Sequence, residues 1–195
     1  MFRTVPEGFK PGSDVANMSV MGFDPKKYYT GRSPLEAVAM GIGLKDTDVT
    51  LRANFVTLAG DGAYEEKTMA DYSAGEITTK EARELIEYLK KELDGDGFTI
   101  YPGISYRHCL VAENGQTGHE LTPPHDISDK KITDYLPKGR CADRYLALMK
   151  RSYELLKDHP VNVARVRAGK NPANSLWLWG EGTKPMLENF TQKTG

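Results

Sequence analysis

The segment "ITTKEARELIEYLKKELDGDG" constrains the fold more than any other part of this chain. Ala82, Leu85, Ile86, Leu89 and Leu93 recur at helical spacing and form one apolar stripe. Thr78 followed by Glu81 makes a capping box, and Gly95 falls just past the last turn, so both ends of the helix are specified locally. Glu81, Glu84, Lys90 and Lys91 read as a solvated face. An apolar stripe of this kind has to be buried against another layer.

Strand-like segments on either side supply that layer. In "DVTLRANFVTLAGDGAYEEKTM", Val49, Leu51, Ala53 and Phe55 alternate with Thr50, Arg52 and Asn54, and a Gly60-Asp61-Gly62 turn predicts a hairpin. "FTIYPG" and "ISYRHCLVAENGQTGHEL" predict further strands, with a hairpin turn at Asn114-Gly115. A short helix is expected near Ser33 with Pro34 at its first position. A longer one runs from Ala142 to about Asp158, turning Leu146, Met149, Tyr153 and Leu156 inward, and a third restarts at Pro160 and ends at Gly169. "NSLWLWGEG" is the last strand, and alternation puts Trp177 and Trp179 on one face, where burial in a core or interface is expected. The order predicts an α+β fold: a mixed β-sheet with antiparallel hairpins, covered by helices, in one main domain.

Composition excludes several functions. The 26 Lys and Arg against 27 Asp and Glu leave a net charge of −1, which gives no electrostatic basis for nucleic-acid or membrane binding. No apolar run approaches the length of a membrane span, and no signal-peptide pattern opens the chain. Cys109 and Cys141 lack metal-ligand spacing and read as free thiols of a reducing compartment, so the expected location is cytoplasmic. The opening "MFRTVPEGFKPG" and closing "NFTQKTG" carry no anchoring element, as in frayed termini or in a piece of something longer.

The chain has no H-E-x-x-H, G-x-S-x-G or Walker A word. In "GFKPGSDVANMSVMGFDP" a Pro-Gly turn delivers Ser13 to a helix start, where it either caps the helix or acts as a nucleophile beside helix N–H groups suited to phosphate. Arg107 and His108 point to opposite faces of their strand. Arg107 is a candidate anion ligand or a surface ion pair, and His108, beside Ile104, Tyr106 and Leu110, reads as core. Arg52 and Arg32 pose the same choice as Arg107. His125 in "TPPHDI", on an approach stiffened by two prolines, is a ligand for a proton or phosphate, or a loop histidine bonded to backbone. His119 reads as solvated, and His159 in "DHPVN" as a helix cap.

Taken in order, "PGSDVANMSVMGFDPKKYYTGRSPLEA", "YPGISYRHCLV", "TPPHDIS", "HPVN" and "GKNPANSLWLWGEG" closely resemble the archaeal-type cofactor-independent phosphoglycerate mutases of the alkaline-phosphatase superfamily. The resemblance runs from Thr4 to about Phe190. It implies that Ser13 is the nucleophile, taking a phosphoryl group from one hydroxyl of phosphoglycerate and returning it to the other. Two divalent metal ions (Mn, Mg or Zn) would activate the serine, with Ser13 itself a metal ligand. Arg32, Arg52, Arg107 and His125 lie in family-like words and are the candidate substrate-binding residues.

The upstream Asp ligand and the downstream Asp and His ligands of such enzymes do not occur in this sequence, so the other metal ligands are expected outside this chain. The resemblance thus divides it into a junction carrying the nucleophile word (1–44), an inserted substrate-binding domain (45–170) and a return segment (171–195) toward a separate metal-binding core. The expected function is that of the substrate-binding domain of a mutase interconverting 3-phosphoglycerate and 2-phosphoglycerate, inactive as an isolated chain. Two alternatives stand beside it. One is a related phosphotransferase acting on another small phosphorylated metabolite, such as homoserine phosphate. The other is a non-catalytic module that binds phosphorylated metabolites.

Overall fold

A computed structural model describes residues 4–9 and 12–186. The Pro11 turn and the closing residues 187–195, both invoked above, lie outside the described residues. Five strands form one sheet: β1 (Val49–Ala59), β2 (Thr68–Asp71), β3 (Phe98–Ile104), β4 (Arg107–Ala112) and β5 (Ser175–Thr183). Among the described residues six α-helices accompany it: α1 (Ser13–Val20), α2 (Pro25–Tyr28), α3 (Arg32–Ala39), α4 (Thr79–Leu93), α5 (Ala142–Leu156) and α6 (Pro160–Arg167). The α+β class holds. The sheet, however, is antiparallel at every pairing among the described residues rather than mixed. Hairpins join β1 to β2 and β3 to β4, and the helical return through α5 and α6 brings β5 back antiparallel to β1.

β1 is the spine, paired with β2, β4 and β5. One face of the sheet carries Leu51, Ala53, Phe55, Leu110 and Leu178, which pack with Leu85, Ile86 and Leu89 of α4 and with Met149 and Leu156 of α5. Each of the Leu, Ile, Phe and Met side chains contributes about 1.5–3 kcal/mol by leaving water. The capping box forms as expected: Thr78 Oγ1 accepts from the Glu81 N–H, and the Glu81 carboxylate accepts from the Thr78 N–H. Glu81 also departs from the solvated face, because Arg165 of α6, itself buried, donates to it at 2.9 Å.

The other face of the sheet is where alternation misleads. β1 is buried on both sides from Val49 to Leu58, because α3 and the residues after it cover Thr50, Arg52 and Asn54. Ala37, Ile42 and Leu44 pack there against Cys109 and Val111. The close approach of α3 to β5 depends on two glycines. A Cβ at Gly31 would fall 2.4 Å from the Glu181 carbonyl oxygen, and one at Gly182 would fall 2.4 Å from that of Thr30.

α3 begins at Arg32, with Gly31 at the cap position, two residues earlier than expected, which leaves Pro34 inside the first turn where its missing N–H has no intrahelical acceptor. Asn114-Gly115 is not a hairpin. Asn114 does take the left-handed conformation (φ 49°), but the chain leaves the sheet there, and the β3–β4 turn lies at Ser105-Tyr106. Ser105 adopts φ 55° and is held by its hydroxyl, which donates to the Ile77 carbonyl at 2.6 Å.

Candidate functional site

On the face covered by α3, strand register gathers residues that are far apart in sequence. Arg52 stands opposite Trp179 on β5 and opposite Cys109 on β4, while Asn54 stands opposite Trp177 and Arg107. The Trp179 indole is the hub. The Arg52 guanidinium lies 4.6 Å from its ring centroid and that of Arg32 5.7 Å. The His125 ring meets it edge-on at 5.3 Å, and Trp179 Nε1 donates to Asn54 Oδ1 at 3.2 Å. Cation–π contacts of this kind stabilise by about 0.5–2 kcal/mol each. His125 sits in a single 3₁₀ turn, Pro124–Ile127, which the two prolines start, and its ring also meets Tyr72.

Glu36 sets the electrostatics. Its Oε1 accepts from Arg32 Nε at 3.3 Å and lies 3.0 Å from Arg52 Nη1. Burial works against the charge on Arg52, and the Glu36 carboxylate offsets it. Among the described residues the buried Arg52 Nε has no hydrogen-bond partner.

Ser13 is exposed at the first position of α1. It does not cap the helix. Gly12 has the extended backbone of the cap position, Ser13 is already helical, and its hydroxyl makes no hydrogen bond among the described residues. Ser13 lines a cleft of about 360 Å³ together with Asp14, Asn17, Arg32 and Glu36. A second cleft, of about 500 Å³, is lined by Asp14, Tyr29, Arg32, His125, Asp126 and Trp179. Asp14 and Arg32 therefore face both. Tyr29 donates its hydroxyl to Asp14 Oδ2 at 2.6 Å, and burial with that bond raises the phenol far above its ordinary range, so it stays a donor.

Arg32, Arg52 and His125 thus converge on Trp179, and Ser13 lies in the adjoining cleft. Arg107 is exposed at the start of β4 with its guanidinium 5.6 Å from the Tyr106 ring, and it lines neither cleft. His108 is in the core on the opposite face, edge-on to Phe55 at 4.7 Å. His159 caps α6 by accepting from the Val161 N–H.

His119 corrects an expectation. Its side chain is 2% exposed rather than solvated, with Nδ1 2.7 Å from Glu181 Oε2 and Nε2 2.7 Å from the Arg140 carbonyl oxygen. Glu181 reaches from β5 to the loop and also accepts from the Gly118 and His119 N–H groups. Sequence reasoning missed Glu36 and the role of Trp179 in the cleft. The i, i+4 spacing of Arg32 and Glu36 was a visible signal. Trp179 had none without the β1–β5 register.

For a metal, Ser13 and Asp14 bring oxygens to the α1 turn, but Asp14 is already engaged by Tyr29. Among the described residues no three His, Cys, Asp or Glu side chains converge. Two neighbouring oxygen donors are too few for a two-metal site.

Two guanidiniums and an imidazole meet one aromatic wall, with an exposed serine hydroxyl in the adjoining cleft, and the class this defines first is an α+β domain that carries a charged cleft on one face of an antiparallel sheet. The chain belongs to the 2,3-bisphosphoglycerate-independent phosphoglycerate mutase family, whose characteristic sequence matches residues 1–162. It is 51% identical over 193 residues to a probable 2,3-bisphosphoglycerate-independent phosphoglycerate mutase of Geobacter sulfurreducens, covering 99% of this chain and 48% of that protein. The corresponding enzyme of Methanosarcina barkeri is 49% identical over 197 residues, with 99% of this chain and 48% of that protein covered. Among solved structures, the cofactor-independent phosphoglycerate mutase of Thermoplasma acidophilum superposes with a TM-score of 0.65 at 28% identity, over 94% of this chain and 49% of that one. The chain spans about half the length of the curated relatives it matches.

Proposed function

We propose that this chain supplies the phosphoryl-accepting serine and the anion-binding wall of a phosphoglycerate mutase that interconverts 3-phosphoglycerate and 2-phosphoglycerate. The observation that carries this reading is the convergence of Arg32, Arg52 and His125 on Trp179, beside the cleft that Ser13 lines. In the reaction Ser13 Oγ gives up its proton and forms a bond to phosphorus as the ester bond to one glycerate oxygen breaks, and that oxygen takes a proton. The other hydroxyl then loses its proton and bonds to the phosphorus as the bond to Ser13 Oγ breaks, and Ser13 is reprotonated. The serine hydroxyl is exposed and not spent as a cap, and the first turn of α1 directs N–H groups toward a phosphoryl group there. Arg32 and Arg52 neutralise the ligand's charges, and the Trp179 ring backs both guanidiniums. Arg107 is an outer contact for the carboxylate, on the same sheet face as Arg52.

The two divalent ions implied by the resemblance would belong with ligands beyond those described. In this reading residues 1–44 and 171–195 are junctions around a substrate-binding domain, 45–170. Both junctions share in the sheet, since α3 and β5 pack on β1. The setting is cytoplasmic, in keeping with the free thiols of Cys109 and Cys141.

The test is a graft. Residues 4–186 replace the matching segment of the Geobacter sulfurreducens relative, and conversion of 3-phosphoglycerate is measured. The graft is expected to turn over and its Ser13→Ala variant to be inactive, with stability changed by no more than about 0.5 kcal/mol because no cap is lost. Substantial turnover by the Ser13→Ala variant removes Ser13 from the mechanism.

A further inference from the structure

The ion pair that joins Arg32 and Arg52 has an unusual division of burial. The Arg52 side chain is 5% exposed and fixed by the Trp179 ring, whereas Glu36 is 40% exposed and Arg32 37%. We propose that Glu36 is a placeholder: in the free protein its carboxylate occupies the position that an anionic group of the ligand takes, and the ligand displaces it. The proposal rests on the reading that this cleft binds a phosphoglycerate-like anion, and it adds how binding is gated and which charge is selected.

The geometry supports exchange of anion for anion. A single oxygen, Glu36 Oε1, serves both guanidiniums, as one oxygen of a phosphate or carboxylate would. With Glu36 in place, Arg52 Nε has no partner among the described residues, so the guanidinium keeps unused donor capacity there. The buried Arg52 cannot turn out to water, but Glu36 stands on the outer part of α3 and can rotate away at the small cost of an exposed rotamer change. Glu36 also lines the same cleft as Ser13. No covalent bond changes in this step. The displaced carboxylate stays ionised and is taken up by water. Because one negative charge leaves as another enters, a monocarboxylate gains little, whereas a phosphate monoester dianion brings a net charge to the two arginines. Glu36 thereby selects small phosphate esters over simple acids.

The experiment titrates the 195-residue chain with 3-phosphoglycerate and, separately, inorganic phosphate, by calorimetry, for the wild type, Glu36→Gln and Arg52→Gln. Glu36→Gln is expected to bind about fivefold more tightly than the wild type, the size of one lost competing ion pair near the surface. Arg52→Gln is expected to bind at least about tenfold more weakly. Should Glu36→Gln fail to fold, the wild type carries the test through the side-chain carboxyl carbon resonance of Glu36. That resonance should move toward a solvated carboxylate as the ligand saturates.

Unchanged or weaker binding by a folded Glu36→Gln, or an unmoved Glu36 resonance at saturation, overturns the placeholder and leaves the anion site intact provided Arg52→Gln loses binding. Equal binding by the wild type and Arg52→Gln overturns the anion site itself. Absence of binding by every variant overturns both.

Discussion

His108 makes the fold sensitive to mild acid, and the size of the effect follows from its surroundings. The residue is 4% exposed. Its Nδ1 accepts from the Gly103 N–H at 3.0 Å, which fixes the neutral tautomer with the proton on Nε2, and that buried Nε2 has no partner among the described residues. Charging the ring would bury a cation and break the Gly103 bond. Burial, with the nearby Arg83 charge adding to it, holds the imidazole down to about 3 from an ordinary 6.5. Between those values the unfolded chain takes up a proton that the folded chain refuses, so this contribution to stability is present at neutral pH and declines as pH falls below about 6.5. From pH 7 to pH 5 the loss is about 2 kcal/mol. The assay is urea unfolding at pH 7 and pH 5 for the wild type and His108→Leu. The variant leaves the Gly103 N–H unpaired and is expected to be less stable at pH 7, so the quantity read is the change between the two pH values. His108→Leu should lose about 2 kcal/mol less than the wild type on acidification. Equal acid dependence in the two proteins would refute the neutral, buried imidazole.

Two further perturbations test the frame of the site. Thr78→Ala removes the hydroxyl that accepts from the Glu81 N–H and donates to the Glu81 carboxylate, and should cost about 1 kcal/mol in urea unfolding. Gly182→Ala sets a methyl group 2.4 Å from the Thr30 carbonyl oxygen and 2.7 Å from Pro34, and should cost about 2–3 kcal/mol by separating α3 from β5. Gly43→Ala, with nothing within 4 Å of the new carbon, is the control and should move stability by no more than about 0.5 kcal/mol.

What was legible in the sequence was local. The α4 stripe, its capping box and the His159 cap depend on residues within a turn or two of one another, and each formed as its pattern implies. The antiparallel β1–β2 hairpin was legible for the same reason. What escaped depends on contacts between distant segments. Arg52 and Asn54 look like a solvated strand face until α3 arrives to cover them, and that packing requires the glycine pair at 31 and 182. His119 looks like a loop residue until Glu181, 62 positions later, supplies acceptors. The turn at Ser105 was invisible because its left-handed backbone is stabilised by Ile77 rather than marked by Gly or Asn, while Asn114-Gly115 was marked and turns the chain out of the sheet. Arg32, Arg52 and His125 were recognisable as candidate anion ligands by residue type. Their meeting at Trp179 depends on the β1–β5 register, which brings Arg52 there, and on the packing of α3 and of the Pro124–Ile127 turn, which bring Arg32 and His125.

The central claim is that Ser13 receives the phosphoryl group, and mapping the covalent intermediate tests it most directly. The grafted mutase carrying residues 4–186 is mixed with 3-phosphoglycerate, quenched in acid during turnover and digested for peptide mass spectrometry. The account predicts one phosphoryl group on the peptide that begins the α1 helix, localised to Ser13 rather than Ser19, and absent when Ser13 is alanine. Turnover accompanied by phosphorylation of another residue, or undiminished in the Ser13→Ala graft, would contradict it.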